Sequence, residues 1–170
     1  MANAVTLSRL AMIPPVFYLI VYGNNLVAAA VFGIAAATDF IDGYVARSLG
    51  TVSEFGKIID PLTDRIFIFF TVVAIFIRFS VPPLWALVVM VGRDVALLVN
   101  YYLVKNEGKK IEVIFVGKLA TAVLMISLSL IILRFGPAMI FFYIGFTLYL
   151  IAGFIYLQQG KKLVREGRSV

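Results

Sequence analysis

Four aspartates, Asp39, Asp42, Asp60 and Asp64, stand inside two otherwise apolar runs, in the stretch TDFIDGYVARSLGTVSEFGKIIDPLTDR that begins at Thr38. Asp39 and Asp42 are three apart and Asp60 and Asp64 four apart, the spacings that put two residues on one helical face. A carboxylate within a membrane segment is costly unless paired, solvated or cation-bound, so it reads first as functional. Converging like charges coexist only with divalent cations, shared protons or basic partners. The chain has no histidine and no cysteine, so acid-base work and metal ligation fall to carboxylates, which suit hard cations. The competing reading is structural: salt bridges to Arg47, Lys57, Arg65, Arg93 and Lys118.

Composition dictates what must position these residues. Of 170 residues, 62% are hydrophobic and 14% charged, which leaves no polar skin for a soluble domain and implies an all-α integral membrane protein. A hydrocarbon core about 30 Å thick takes about 20 apolar residues of helix. Six such runs are present, over 8–22, 26–47, 56–79, 83–104, 113–134 and 138–158. They are separated at Gly23-Asn24-Asn25, Gly50, Pro82-Pro83, Asn106-Glu107-Gly108 and Gly136-Pro137. The short turn around Gly50 makes the second and third spans antiparallel neighbours whose acidic faces can meet. No linker divides the chain, so residues 1–170 are read as one domain; the first apolar run lacks a basic leader and counts as a span, not a cleaved signal.

Lysine and arginine mark the cytoplasmic side. With the N-terminus inside, that side collects Arg9, Arg47, Lys57, Lys105, Lys109, Lys110, Lys161, Lys162, Arg165 and Arg168, against Arg78 and Arg134 outside. The expectation is a multi-pass protein of the cytoplasmic membrane, with both termini and a polar cavity holding the acidic cluster on the cytoplasmic side. The net charge of +6 then faces anionic lipid heads, and nucleic acid is not an expected partner.

An ion-pair cluster needs no open space around it, yet Gly43 follows Asp42, Ala46 comes one turn later and Gly56 opens the third run. Small residues of this kind let a bulky ligand approach the backbone, or let two helices pack closely. In full the spacing is Asp39, two residues, Asp42-Gly43, two residues, Ala46-Arg47, eight residues, Gly56, three residues, Asp60, three residues, Asp64. The chain is identified by this signature as a member of the CDP-alcohol phosphotransferase family. That resemblance implies a donor, CDP-diacylglycerol, and one or two divalent ions, Mg2+ or Mn2+, held by Asp39, Asp42, Asp60 and Asp64. It further implies that Asp64 is the general base, that Gly43, Ala46 and Gly56 make room for the cytidine nucleotide, and that Arg47 meets its phosphates. Homodimers are common in the family, and Gly145 to Gly153 offers small residues for a helix contact. Pro61, directly after Asp60, is either a kink that opens space beside the cations or a tolerated membrane proline.

Three further features bear on the acceptor. NAVTLSRL resembles the opening of the family's glycerol-phosphate-using members, and Asn3, Thr6 and Arg9 recur at helical spacing where they can border the nucleotide. Equally, Asn3 can cap the helix and Arg9 can snorkel to lipid heads. Arg93-Asp94 lies within the fourth span and Lys118 within GKLAT in the fifth; both cations suit a small phosphorylated alcohol. Arg93 can instead neutralise Asp94 or the aspartates. Glycerol 3-phosphate is the expected acceptor; Arg-Asp where those members more usually carry Arg-Glu resembles the eukaryotic-type cardiolipin synthases and admits phosphatidylglycerol, and the same cations would serve inositol phosphate. A cation transporter would show repeats with broken helices in both halves, and the acidic residues here occupy only one region.

Overall fold

The structure, a computed structural model, describes the backbone of residues 2–48, 56–106 and 114–167 and the side chains of residues 10–37, 63–105 and 114–165. Among the described residues everything regular is helix: α1 Ala2–Tyr22, α2 Asn25–Ser48, α3 Gly56–Phe79, α4 Leu84–Asn106, α5 Phe115–Ile132 and α6 Ala138–Gly167. The order matches the six runs expected, with two differences of extent. α1 starts at Ala2, not at 8, because the polar residues of its first turns do not break a helix. α6 continues to Gly167, past 158, because Gln, Lys, Leu and Arg are good helix formers even where the apolar pattern has ended.

Three helices among the described residues are long and apolar enough to cross a membrane: Leu84–Lys105, Phe115–Ile132 and Ala138–Arg165. Among the described residues Leu10–Tyr22 and Asn25–Ala37 are shorter apolar segments. Large apolar side chains lie open at Tyr18, Leu26, Ile34, Val88, Ile126 and Phe154, as expected of helices whose solvent is lipid rather than water.

The chain divides into two compact units, Met1–Leu84 with Leu128–Ala138, and Trp85–Ser127 with Met139–Val170. In the first, α1 packs on both α2 and α3. Val16 and Ile20 of α1, Ala28 and Phe32 of α2, and Phe67, Val72 and Ile75 of α3 are buried. Asn24 caps α2, its Oδ1 accepting from Leu26 N at 2.8 Å and Val27 N at 3.4 Å, so the break read at Gly23-Asn24-Asn25 has a specific chemical cause. Arg78, expected on the outer side at the end of the third run, lies in the last turn of α3. Its Nη1 donates to the terminal carbonyls of α1, Ile20 O at 2.6 Å and Gly23 O at 2.8 Å. A cation at a helix C-terminus satisfies orphan acceptors and meets the negative end of the dipole. α5 ends in a Schellman turn, with Phe135 N donating to Leu130 O and Arg134 N to Ile131 O. Its left-handed residue is Arg134, at φ 57°, rather than Gly136 two residues on.

In the second unit α4 and α6 share a buried face made of Ala86, Leu87, Met90, Phe142, Phe146, Tyr149 and Ala152. Trp85 stands edge-on to Phe146 at 5.7 Å and parallel to Tyr143 at 6.5 Å. Polar ties supplement the apolar contact. Asn100 Nδ2 donates to the Tyr156 carbonyl at 3.0 Å, and Ile114 N donates to the Tyr156 hydroxyl at 3.1 Å, drawing the start of α5 onto α6.

Candidate active site

The bond from Arg78 puts the C-terminal ends of α1 and α3 at the same end of the first unit, where α2 begins after the two-residue turn at Gly23 and Asn24. α2 therefore runs antiparallel to α3. Phe32 and Phe67 stack with ring centroids 5.6 Å apart and planes 3° from parallel, which sets the register of the two helices. Asp39 follows Phe32 by seven residues and Asp60 precedes Phe67 by seven. At 1.5 Å per residue both backbone positions lie about 10 Å beyond the ring pair, in the same direction and level with one another. Asp39 and Asp60 thus stand at one depth on different helices, away from the Arg78 end, with Asp42 about 5 Å farther out along α2 and Asp64 about 6 Å nearer the ring pair along α3.

Of the four aspartates, Asp64 is the one with a described side chain. It is half-buried, with Oδ1 shut off from solvent, one turn from the buried Thr63 and Phe67. Gly56 is the first residue of α3. The side chains of Asn3, Thr6, Arg9, Asp39, Asp42, Ala46, Arg47, Asp60 and Pro61, and the surroundings of Gly43, lie outside the described residues. So do the turn at Gly50 and the lysines at 109 and 110. Among the described residues no group of three or more carboxylate, imidazole or thiol side chains is gathered. The donor set is nevertheless all oxygen, and the register brings the backbone positions of Asp39 and Asp60 level, which fits a hard divalent cation.

The acceptor candidates lie in the second unit and differ from one another. Arg93 is buried, with 8% of its side chain exposed, and its Nη1 is 3.0 Å from Asp94 Oδ1. The same Oδ1 accepts from the Tyr149 hydroxyl, and the Arg93 guanidinium carbon lies 3.9 Å from the Tyr149 ring centroid. Arg93 is thus held by Asp94 and stacked, where the sequence alone left it neutralising Asp94 or open to a phosphate. Lys118, by contrast, is exposed on α5.

Sequence reasoning missed Tyr149, and it misread the glycines on either side. Gly145 and Gly153 are buried against their own chain, so they do not support a helix contact with a second copy. A Cβ on Gly145 would meet Leu124 N at 3.0 Å, and one on Gly153 would meet Arg93 Nε at 2.6 Å. The spacing Gly145, Tyr149, Gly153, four and four, is the signal that was available: one face of α6 alternating small, aromatic and small.

Fold and site together define a helical membrane protein with an acidic turn on each of two antiparallel helices, Asp39 level with Asp60, and an ion-paired arginine. The family model for CDP-alcohol phosphatidyltransferase matches residues 1–155, and the chain belongs to that family of enzymes. It is similar to the CDP-diacylglycerol--glycerol-3-phosphate 3-phosphatidyltransferase of Bacillus subtilis strain 168, 30% identical, the match covering 79% of this chain and 77% of that one. A protein of the same name from Aquifex aeolicus is 35% identical over 76% of this chain and 72% of its own. The cardiolipin synthase (CMP-forming) of Streptomyces coelicolor is 32% identical over 96% of this chain and 83% of its own.

Proposed function

We propose that this protein transfers a phosphatidyl group from CDP-diacylglycerol to glycerol 3-phosphate, forming phosphatidylglycerol phosphate and CMP. The observation that carries the reading is the acidic spacing from Asp39 to Asp64, with the two helices that bear it in level register. The acceptor is taken from the Bacillus and Aquifex relatives and from the pair of cations Arg93 and Lys118.

The donor residues are in the first unit. Asp39, Asp42, Asp60 and Asp64 form an all-oxygen set able to hold Mg2+ or Mn2+, one ion or two, which when bound neutralises the diphosphate and the departing CMP. Gly43, Ala46 and Gly56 leave room for the cytidine nucleotide, Arg47 meets its phosphates, and Asn3 and Thr6 border it. Asp64 accepts the proton of the acceptor hydroxyl. The acceptor oxygen then forms a bond to the phosphorus bearing diacylglycerol, the bond from that phosphorus to the CMP oxygen breaks, and the electron pair leaves with CMP. In the second unit Arg93 and Lys118 bind the acceptor phosphate, Arg93 through its fork and Lys118 as a point charge.

All six helices are taken as spans, with both termini and a polar cavity at the cytoplasmic face of the cell membrane. The excess of lysine and arginine at the chain ends and in the even-numbered turns supports that orientation.

A second reading, with phosphatidylglycerol as acceptor, is favoured by Arg93-Asp94 and by the Streptomyces relative. One experiment separates the two. Purified, folded protein is incubated with CDP-diacylglycerol, Mg2+ or Mn2+ and each acceptor in turn, and CMP is followed. CMP with glycerol 3-phosphate is expected; CMP with phosphatidylglycerol alone transfers the assignment, and no CMP with any acceptor refutes the enzyme reading.

A further inference from the structure

Arg93 is held more tightly than a phosphate ligand would strictly need, and the manner of its holding carries an assignment. A guanidinium presents five donors in one plane, so its usefulness to a tetrahedral anion depends on where that plane points. Here three contacts determine the plane. The Tyr149 ring covers one face at 3.9 Å, Asp94 Oδ1 takes Nη1 at 3.0 Å, and the bare Cα of Gly153 admits the stem, since a Cβ there would lie 2.6 Å from Nε and 3.1 Å from Cγ. The Tyr149 hydroxyl donates to the same Oδ1 that takes Nη1, so ring and carboxylate are themselves tied together. Nε is buried with no hydrogen-bond partner among the described residues, and no hydrogen bond described there uses Nη2.

We infer that Tyr149, by stacking on Arg93 and by holding Asp94, and Gly153, by admitting the arginine stem, are positioning residues that set the orientation of the Arg93 fork so that its Nη2 donors are presented to the phosphate of the acceptor. This rests on the acceptor role given to Arg93 above. A purely structural pair is a poor account of the same geometry, because a buried ion pair is commonly no more stabilising than apolar side chains of the same volume, and more so where the alternative solvent is lipid. Stacking beneath Tyr149 leaves the charge on Arg93 intact while removing its rotational freedom, which is the requirement for a site that must meet a small anion in one pose. Gly153 is buried, and its missing Cβ is the space the arginine stem occupies.

The test uses the full-length protein and separates substrate affinities. Michaelis constants for glycerol 3-phosphate and for CDP-diacylglycerol are measured from CMP release in wild type, Tyr149→Phe, Gly153→Ala and Arg93→Gln. Tyr149→Phe keeps the stacked ring and loses only the hydroxyl tie; Gly153→Ala keeps the tyrosine and displaces the stem. Each is expected to raise the KM for glycerol 3-phosphate about tenfold, the order of one charge-assisted hydrogen bond, with the donor KM within twofold of wild type. A KM does not depend on the fraction of enzyme that is folded, so a loss of stability does not mimic this split. Unchanged KM values in both variants, or equal rises for donor and acceptor, overturn the positioning role. Arg93→Gln reports on the underlying reading: if it leaves the acceptor KM at the wild-type value, Arg93 is not the phosphate ligand and both ideas fall, whereas a raised KM in Arg93→Gln with wild-type behaviour in the other two variants removes only Tyr149 and Gly153.

Discussion

Gly160→Ala offers a measurement of how the second unit is locked, because the neighbour it would strike is known atom by atom. Gly160 is buried on α6 against the side chain of Asn100 on α4; a Cβ there would overlap the amide of Asn100 and come within 2.5 Å of its Cγ. Asn100 is 7% exposed and donates to the Tyr156 carbonyl at 3.0 Å, so it cannot swing away without breaking that bond. Overpacking of this kind costs about 2 kcal/mol, and the interhelical hydrogen bond lost in escaping it about 0.6 to 1.7 kcal/mol in a membrane protein. Taking about 2 kcal/mol as the net, the folding equilibrium falls roughly thirtyfold. The assay is a double-mutant cycle in detergent micelles, with reversible unfolding followed for wild type, Gly160→Ala, Asn100→Ala and the pair. Since Asn100→Ala removes the atoms that Gly160→Ala would strike, the added methyl is expected to cost less than about 0.5 kcal/mol in that background, giving a coupling of about 1.5 kcal/mol or more. Additive losses would refute the contact as the cause and with it the close approach of α4 and α6 at this point.

The remaining predictions concern the first unit. Asp64→Asn should reduce CMP release about a hundredfold or more, the range of a lost general base, while cytidine nucleotide binding measured by equilibrium dialysis survives; retained turnover removes Asp64 from that role. Chelation of divalent cations should abolish CMP release and added Mg2+ or Mn2+ restore it, and activity that persists after exhaustive chelation would refute the carboxylate cation site. Arg78→Gln leaves two terminal carbonyls of α1 without their charged donor and should cost roughly 1–3 kcal/mol of stability with both KM values unchanged; a selective rise in either KM would show that Arg78 does more than close a helix.

The helical runs were legible in the sequence because membrane helices must satisfy every backbone group internally, so apolar length alone reveals them. Their ends were less legible. An apolar window stops at 158, whereas favourable propensity carries α6 nine residues farther, to Gly167. Gly136-Pro137 marked the end of α5 correctly, yet the left-handed cap falls on Arg134, since the Schellman bonds of Arg134 and Phe135 rather than residue type decide where the chain turns. Arg78 read only as an outer-side charge because nothing local indicates that α1 ends beside it. The same holds for Gly145 and Gly153, whose smallness was evident but whose neighbours, 20 to 60 positions away in the chain, were not.

The chemistry of the donor side needed little beyond residue order. Four aspartates at helical spacing, with no histidine or cysteine to share the work, imply a carboxylate site for divalent cations or shared protons, because helix geometry converts spacing of three and four into a shared face; the family signature, not the spacing, singles out the cation. Packing supplied the rest. The alignment of Asp39 with Asp60 depends on Phe32 meeting Phe67, and the pose of Arg93 on Tyr149 and Gly153 of a different helix. Both are contacts between distant parts of the chain, set by shape complementarity across buried faces, and no local pattern encodes which residue a side chain will meet there.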